Sequence, residues 1–150
     1  LQKHRIVDYM KDVFGSLNGL TITLLGLAFK PNTDDVRDAS SIEIIKGLIK
    51  EGANIRVFDP EVKLLKDFVN DNILYAKDSY DAAENSDALV LVTEWNLFRE
   101  LDLVKIKSVM KQPYFFDLRN VYDPNKLADA GFKSYVIGRK LIKSKVENKL

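Results

Sequence analysis

The feature that most constrains the fold of this chain is an apolar, β-branched run that ends at a glycine. The run covers residues 20–25, and its composition is typical of a strand buried on both faces of a parallel sheet. Gly26 ends the strand, a charged loop rich in turn-favouring residues follows, and residues 41–49 have the apolar spacing of a helix. A strand, a loop and a helix in this order form the first unit of an open α/β sheet.

The remaining sequence repeats this alternation of short apolar segments and helical segments. Further strands are predicted at residues 54–58, 72–75, 88–92, 114–117 and 132–137. Further helices are predicted at residues 2–15, 61–68, 79–84, 97–107 and 126–130. We therefore predict an α/β fold with a Rossmann-like open parallel sheet of five to six strands, helices on both faces and a preceding N-terminal helix.

Three cations follow strands of the predicted sheet, near the point where each strand ends. Lys30 and Arg37 lie in the loop after the first strand, and Arg119 follows the strand at 114–117. Because ligands of open α/β sheets bind beyond the carboxyl ends of the strands, these side chains are expected to converge on one edge. Arginine binds phosphate oxygens through a planar fork, and lysine binds them as a point charge. The three cations therefore predict a site for a pyrophosphate.

Simpler interpretations of this edge remain open. The loop cations would form only surface ion pairs if they were neutralised by the aspartates of their own loop, Asp34, Asp35 and Asp38. Asp59 stands where a Rossmann domain holds a ribose hydroxyl, but we favour a role as the cap of the helix that begins near residue 61. Trp95 either stacks on a flat ring of a ligand or, as we favour, packs in the core.

Composition excludes several other kinds of site. The first turn has a single glycine, so it lacks the G-x-G-x-x-G fingerprint of dinucleotide binding, and no Walker loop occurs. With no cysteine and one histidine, His4, the chain offers no catalytic triad and no metal cluster, so we predict no catalytic residues and no metal ligands. The absence of cysteine fits the cytoplasm. Charge is balanced, with 23 basic and 22 acidic residues, so neither nucleic acid nor a membrane is expected as a partner.

Five motifs of the chain resemble, in the same order, those of the UDP-glucose/GDP-mannose dehydrogenase family. The longest, Gly-Leu-Ala-Phe-Lys-Pro-Asn-Thr-Asp-Asp-Val-Arg at 26–37, is similar to the signature that opens the family's C-terminal, UDP-binding domain. The others are Val-Phe-Asp-Pro at 57–60, Asp-Ala-Leu-Val-Leu-Val-Thr-Glu-Trp at 87–95, Phe-Asp-Leu-Arg-Asn at 116–120 and Ile-Gly-Arg at 137–139. The Thr-Glu-Trp segment is most similar to members that act on UDP-glucose. Ser40 departs from the family's usual proline, which should loosen the start of the helix.

The resemblance implies roles for individual residues. In the family, the Phe-Lys pair of the first loop contacts the UDP-sugar, which would give Phe29 and Lys30 that role, and Arg119 would lie near the nucleotide diphosphate. Arg37 would contact the cofactor NAD, which is held mainly by a separate N-terminal domain. The cysteine nucleophile of the family lies in yet another domain, so this chain should be inactive alone.

The resemblance also implies a longer parent protein, as does the first residue, Leu1. Residues 1–18 would be a linker helix from a missing middle domain, residues 19–140 the UDP-sugar-binding domain and residues 141–150 a basic C-terminal tail. The expected parent is a cytoplasmic homodimer that oxidises UDP-glucose to UDP-glucuronate with two NAD. The alternatives are the same domain of a dehydrogenase acting on UDP-N-acetylmannosamine or GDP-mannose, and a stand-alone nucleotide-binding module without chemistry.

Overall fold

The computed structural model describes residues 2–36, 39–68 and 72–136, apart from the side chains of residues 2–5. Its six strands are β1 (Thr21–Leu25), β2 (Asn54–Phe58), β3 (Ile73–Tyr75), β4 (Ala88–Leu91), β5 (Tyr114–Asp117) and β6 (Lys133–Val136). They form one sheet with the order β3-β2-β1-β4-β5-β6, in which every neighbouring pair is parallel. The predicted Rossmann-like sheet is therefore confirmed, with six strands.

Helices cover both faces of this sheet, as predicted. They are α1 (Gln2–Phe14), α2 (Ser40–Lys50), α3 (Ser79–Ala83), α4 (Asn96–Arg99), α5 (Leu103–Val109) and α6 (Pro124–Asp129). No helix of the described residues is long and apolar enough to cross a membrane. The motif at 137–139 and the tail at 141–150 lie outside the described residues.

The prediction of a helix over 61–68 is wrong, because only its last residues, Lys66–Phe68, are helical, as a single 3₁₀ turn. The carboxylate of Asp59 accepts the backbone N–H groups of Glu61 and Val62 at 2.8 and 2.9 Å, so the capping hydrogen bonds are present although the helix that they would cap is not. These bonds close a turn, but the backbone is not helical again before Lys66. The apolar residues whose spacing suggested a helix are buried, but they lie in an irregular segment. They are Val62, Leu65 and Phe68.

The helix predicted over 97–107 is two helices, α4 and α5. The break lies at Asp102, whose carboxylate accepts the backbone N–H of Lys105 at 3.1 Å and begins α5. Leu101 is buried between the two helices. Aspartate at this position favours a new N-terminus over a continuous helix, because its side chain satisfies a backbone N–H that would otherwise have no partner.

The central strands direct alternate side chains into two apolar clusters, one on each face of the sheet. On β1, Leu24 belongs to the first cluster and Leu25 to the second. On β5, Phe116 and Phe115 divide in the same way. Helices α1 and α2 complete the first cluster, and α3 to α6 complete the second. This burial on both faces explains why the strands are apolar at nearly every position.

Helix α1 packs into the first cluster. Its apolar face contributes the buried Ile6 and Met10, and Val13 and Phe14 pack against the same cluster. Tyr9 joins this face and meets aromatic rings of β5 and β6 edge-on. The helix ends where Gly15 adopts a φ of +82° and donates its N–H to the carbonyl of Lys11.

Candidate functional site

The loops that follow β1, β4 and β5 form one continuous edge, because these three strands are neighbours in the sheet. Phe29 and Lys30 follow β1, Glu94 follows β4, and Arg119 follows β5. The structure therefore brings Lys30 and Arg119 to the same edge, on the two sides of β4, as predicted. Arg37 and Asp38 lie outside the described residues.

The loop after β1 begins where two segments of the backbone, at Gly26 and Thr93, come close together. Gly26 has a φ of +101° and donates its N–H to the carbonyl of Phe58 at 2.8 Å. Thr93 lies directly against it and donates its hydroxyl to the carbonyl of Ala28 at 2.7 Å. Glycine is needed here because a side chain would strain the backbone and meet Thr93.

Asp59, which follows β2, forms hydrogen bonds to the backbone of the same loop. Asp59 is 2% exposed, and its Oδ2 accepts the backbone N–H groups of Leu27 and Ala28 at 2.6 and 3.0 Å. Ser41 adds a hydrogen bond from its hydroxyl to the carbonyl of Leu27 at 2.7 Å. In a phosphate-binding turn, amides at this place face the ligand. Here they already hold a carboxylate of the protein, so the turn does not fit a dinucleotide pyrophosphate.

Phe29 and Lys30 emerge from this anchored turn into solvent. Phe29 is 45% exposed, and Lys30 Nζ lies 5.5 Å from the centroid of its ring. Among the residues that the structure describes, Lys30 forms no ion pair, so neither Asp34 nor Asp35 neutralises it. The ion-pair interpretation therefore fails for Lys30 with these two aspartates, and Lys30 offers a positive charge beside an exposed ring.

Arg119 is already engaged by a carboxylate. Its Nε and Nη2 donate to the two carboxylate oxygens of Glu94 at 3.0 and 3.2 Å. Burial raises the pKa of Glu94, but the hydrogen bond and charge of Arg119, a backbone hydrogen bond and the charge of Arg99 together outweigh it, so the pKa lies below the ordinary value. Arginine carries five N–H donors, so others stay available to a ligand. The role of Glu94 escaped the sequence analysis because its partner is 25 residues away.

The backbone that carries Arg119 is fixed by buried groups. Asp117 is fully buried and accepts the backbone N–H groups of Arg119 and Tyr122 at 3.1 and 2.9 Å. The hydroxyl of Tyr122 donates to the carbonyl of Phe98, and burial raises its pKa to about 12. The loop is therefore anchored on both sides of Asn120, whose φ is +56°.

Trp95 packs in the core, as favoured above. It is 7% exposed and belongs to the second cluster. Its indole Nε1–H is buried without an acceptor in the described part of the chain. A ring in this position cannot offer its face to a ligand.

Metal binding finds no support in the described ranges, where no three His, Cys, Asp or Glu side chains come together as a possible ion site. At this edge Lys30 and Arg119 are exposed, Glu94 is half-buried, and Lys30 lies beside the ring of Phe29. Such groups suit an anion attached to a flat or apolar body.

The Glu94–Arg119 pair yields a pH-dependent prediction. Because the folded pKa of Glu94 is lowered, the pair's stabilisation is complete above the ordinary value of 4.5 and is lost as the pH falls through the folded pKa. Both side chains are partly exposed, so we expect Glu94→Gln to lower the free energy of unfolding by only about 0.5–1 kcal/mol at pH 7. Urea titrations from pH 7 to pH 3 should show this difference shrinking with acidification.

A control isolates the pair in this experiment. In an Arg119→Gln background, the pH-dependent part of the Glu94→Gln effect should be smaller, because the hydrogen bond and charge of Arg119 no longer lower the pKa of Glu94. A difference between wild type and Glu94→Gln that stays constant over the whole pH range would contradict the prediction.

These features define a class of protein: an α/β domain with a Rossmann-like sheet that presents charged side chains at its strand ends and lacks a glycine-rich first turn. The model of the UDP binding domain of the UDP-glucose/GDP-mannose dehydrogenase family matches residues 23–124. The chain belongs to this family and contains its UDP binding domain.

Individual relatives agree with this assignment. UDP-glucose 6-dehydrogenase of Rhizobium meliloti is 44% identical over 83% of this chain and 29% of its own length. UDP-glucose 6-dehydrogenase TuaD of Bacillus subtilis is 38% identical over 95% of this chain and 31% of its own length. The chain thus spans less than a third of these two relatives.

Solved structures repeat the fold. NDP-N-acetyl-D-galactosaminuronic acid dehydrogenase of Methanosarcina mazei superposes with a TM-score of 0.76 at 25% identity, covering 91% of this chain and 28% of that one. A UDP-glucose dehydrogenase of Pyrobaculum islandicum superposes with a TM-score of 0.65 at 28% identity, covering 77% of this chain and 26% of that one.

Proposed function

We propose that this chain is the nucleotide-sugar-binding domain of an enzyme that oxidises UDP-glucose to UDP-glucuronate with two NAD. The family match over residues 23–124 carries the proposal, together with the exposed Phe29 and Lys30 at its first motif. In this proposal, Lys30 and the free donors of Arg119 bind the diphosphate, and Phe29 contacts the uridine or sugar. The relatives named UDP-glucose 6-dehydrogenase favour UDP-glucose over UDP-N-acetylmannosamine or GDP-mannose.

NAD would be bound mainly by a domain outside this chain. The first turn supports this, because the Asp59 carboxylate occupies the Leu27 and Ala28 amides that a dinucleotide would need. NAD supplies the oxidant of the reaction when it is bound. Arg37 is proposed as the group of this chain that contacts it across the domain boundary, and residues 1–18 as the helix that leads to the other domains.

Calorimetric titration of the 150-residue chain tests the proposal. We expect binding of UDP and UDP-glucose, and weaker binding of GDP and GDP-mannose, because the site would be built for a pyrimidine nucleotide. Affinity should be modest, since groups from the missing domains are absent. A chain that binds GDP as well as UDP would contradict the UDP assignment.

A second measurement separates the binding domain from a complete enzyme. NAD and UDP-glucose added together to the chain should produce no NADH, because the chain has neither the G-x-G-x-x-G turn that binds NAD nor the family's thiol nucleophile. The parent gene decides between the enzyme and a stand-alone module. An upstream domain with G-x-G-x-x-G and a middle domain with a cysteine would support the enzyme.

A further inference from the structure

We propose that Asp59 is a positioning residue of the UDP-sugar site, which fixes Phe29 and Lys30 by holding the amides of the turn before them. The inference rests on the proposed function of those two residues. Asp59 itself is 2% exposed, so it acts through the loop and not by contact with the ligand.

The first step is the geometry of the carboxylate. Oδ2 accepts from Leu27 and Ala28, while Oδ1 accepts from Glu61 and Val62 at 2.8 and 2.9 Å. Four backbone N–H groups from two separate loops thus converge on one side chain. This arrangement requires a side chain that accepts hydrogen bonds at both of its terminal atoms, as a carboxylate does. Hydrogen bonds to a carboxylate are also about twice as strong as bonds between neutral groups.

The second step is the connection to the ligand-facing residues. Ala28, the last residue that Asp59 holds, directly precedes Phe29. The carbonyl of Ala28 is fixed by Thr93, and the N–H of Phe29 donates to the carbonyl of Asp35 at 2.9 Å. Without the carboxylate, the turn loses two of the anchors that set the direction of the loop.

The third step is the chemical contrast between aspartate and asparagine. Asparagine has nearly the same shape, but its amide nitrogen is a donor and cannot accept from a backbone N–H. Asp59→Asn therefore leaves one pair of N–H groups facing a donor. If only about a tenth of the molecules then keep the competent loop, the apparent affinity falls about tenfold.

The experiment compares Asp59→Asn with Asp87→Asn in the 150-residue chain. Asp87 is also buried and accepts a backbone N–H, that of Thr21 at 2.9 Å, but it lies before β4 at the opposite edge of the sheet. Both variants should melt below wild type. We expect UDP affinity to fall about tenfold in Asp59→Asn and less than about twofold in Asp87→Asn. Equal losses in the two variants, or none in Asp59→Asn, would overturn the inference.

Amide exchange measured by nuclear magnetic resonance tests the inference without UDP. The N–H groups of Leu27, Ala28 and Phe29 should exchange at least about tenfold faster in Asp59→Asn than in wild type or Asp87→Asn, because their hydrogen bonds open more often. Unchanged exchange at Phe29 would overturn the inference. If wild type bound no UDP at all, the proposed function would fail, whereas this measurement would still decide the role of Asp59.

A second variant covers the case in which Asp59→Asn does not fold. Asp59→Glu keeps the charge and displaces the carboxylate by one methylene group. We expect a smaller loss of UDP affinity in the same direction, of about threefold. Wild-type affinity and wild-type exchange in this variant would also count against positioning by Asp59.

Discussion

Substitution of Gly26 by alanine should lower the free energy of unfolding by about 2–6 kcal/mol, because strain and overpacking add at this position. The φ of +101° is unfavourable for any residue with a side chain. A Cβ at this place would also lie 2.5 Å from the Cβ of Thr93 and 2.6 Å from its backbone nitrogen. The backbone after β4 cannot move aside without breaking hydrogen bonds of the sheet, so relief of the steric contact with Thr93 would itself cost stability.

Urea or guanidinium titration monitored by circular dichroism measures this loss. Gly15→Ala is the matched control, because Gly15 has a φ of +82° but nothing within 4 Å of the added Cβ. It should therefore cost only the conformational strain, about 1–2 kcal/mol. Equal losses of unfolding free energy in Gly15→Ala and Gly26→Ala would show that the steric contact with Thr93 does not contribute.

Gly26 also illustrates what a sequence alone can reveal about this fold. The apolar run before it and the glycine itself predict a strand and its end, because burial on both faces leaves a local signature. The partner of the glycine cannot be predicted in this way. Thr93 lies 67 positions away along the chain, and only the pairing of β1 with β4 brings it there.

The same distinction holds for the candidate site. Lys30 and Arg119 could be assigned to one edge from the order of strands and loops alone. The dual role of Asp59 could not, because its bonds to Leu27 and Ala28 cross from one strand end to another. The helix expected after Asp59 failed for a related reason: its apolar spacing reports which residues are buried, and an irregular segment can bury them as well as a helix can.

Lys30→Ala should weaken the binding of UDP-glucose by about 1.5–3 kcal/mol, the range for a hydrogen bond to a charged group. This loss corresponds to about a 10- to 150-fold rise in Kd. The reason is that Lys30 is exposed, lies beside the Phe29 ring and forms no ion pair within the described residues, so its charge is available to a phosphate. Calorimetric titration with UDP-glucose measures the effect.

Stability should separate this effect from a structural one. An exposed lysine contributes little to folding, so Lys30→Ala should change the free energy of unfolding by less than about 0.5 kcal/mol. Lys111→Ala is the control, because Lys111 is equally an exposed lysine but precedes β5 at the opposite edge of the sheet. It should bind UDP-glucose as wild type does. If instead Lys30→Ala melted early and bound normally, Lys30 would belong to the framework of the loop and the diphosphate would have to be held by Arg119 and other groups.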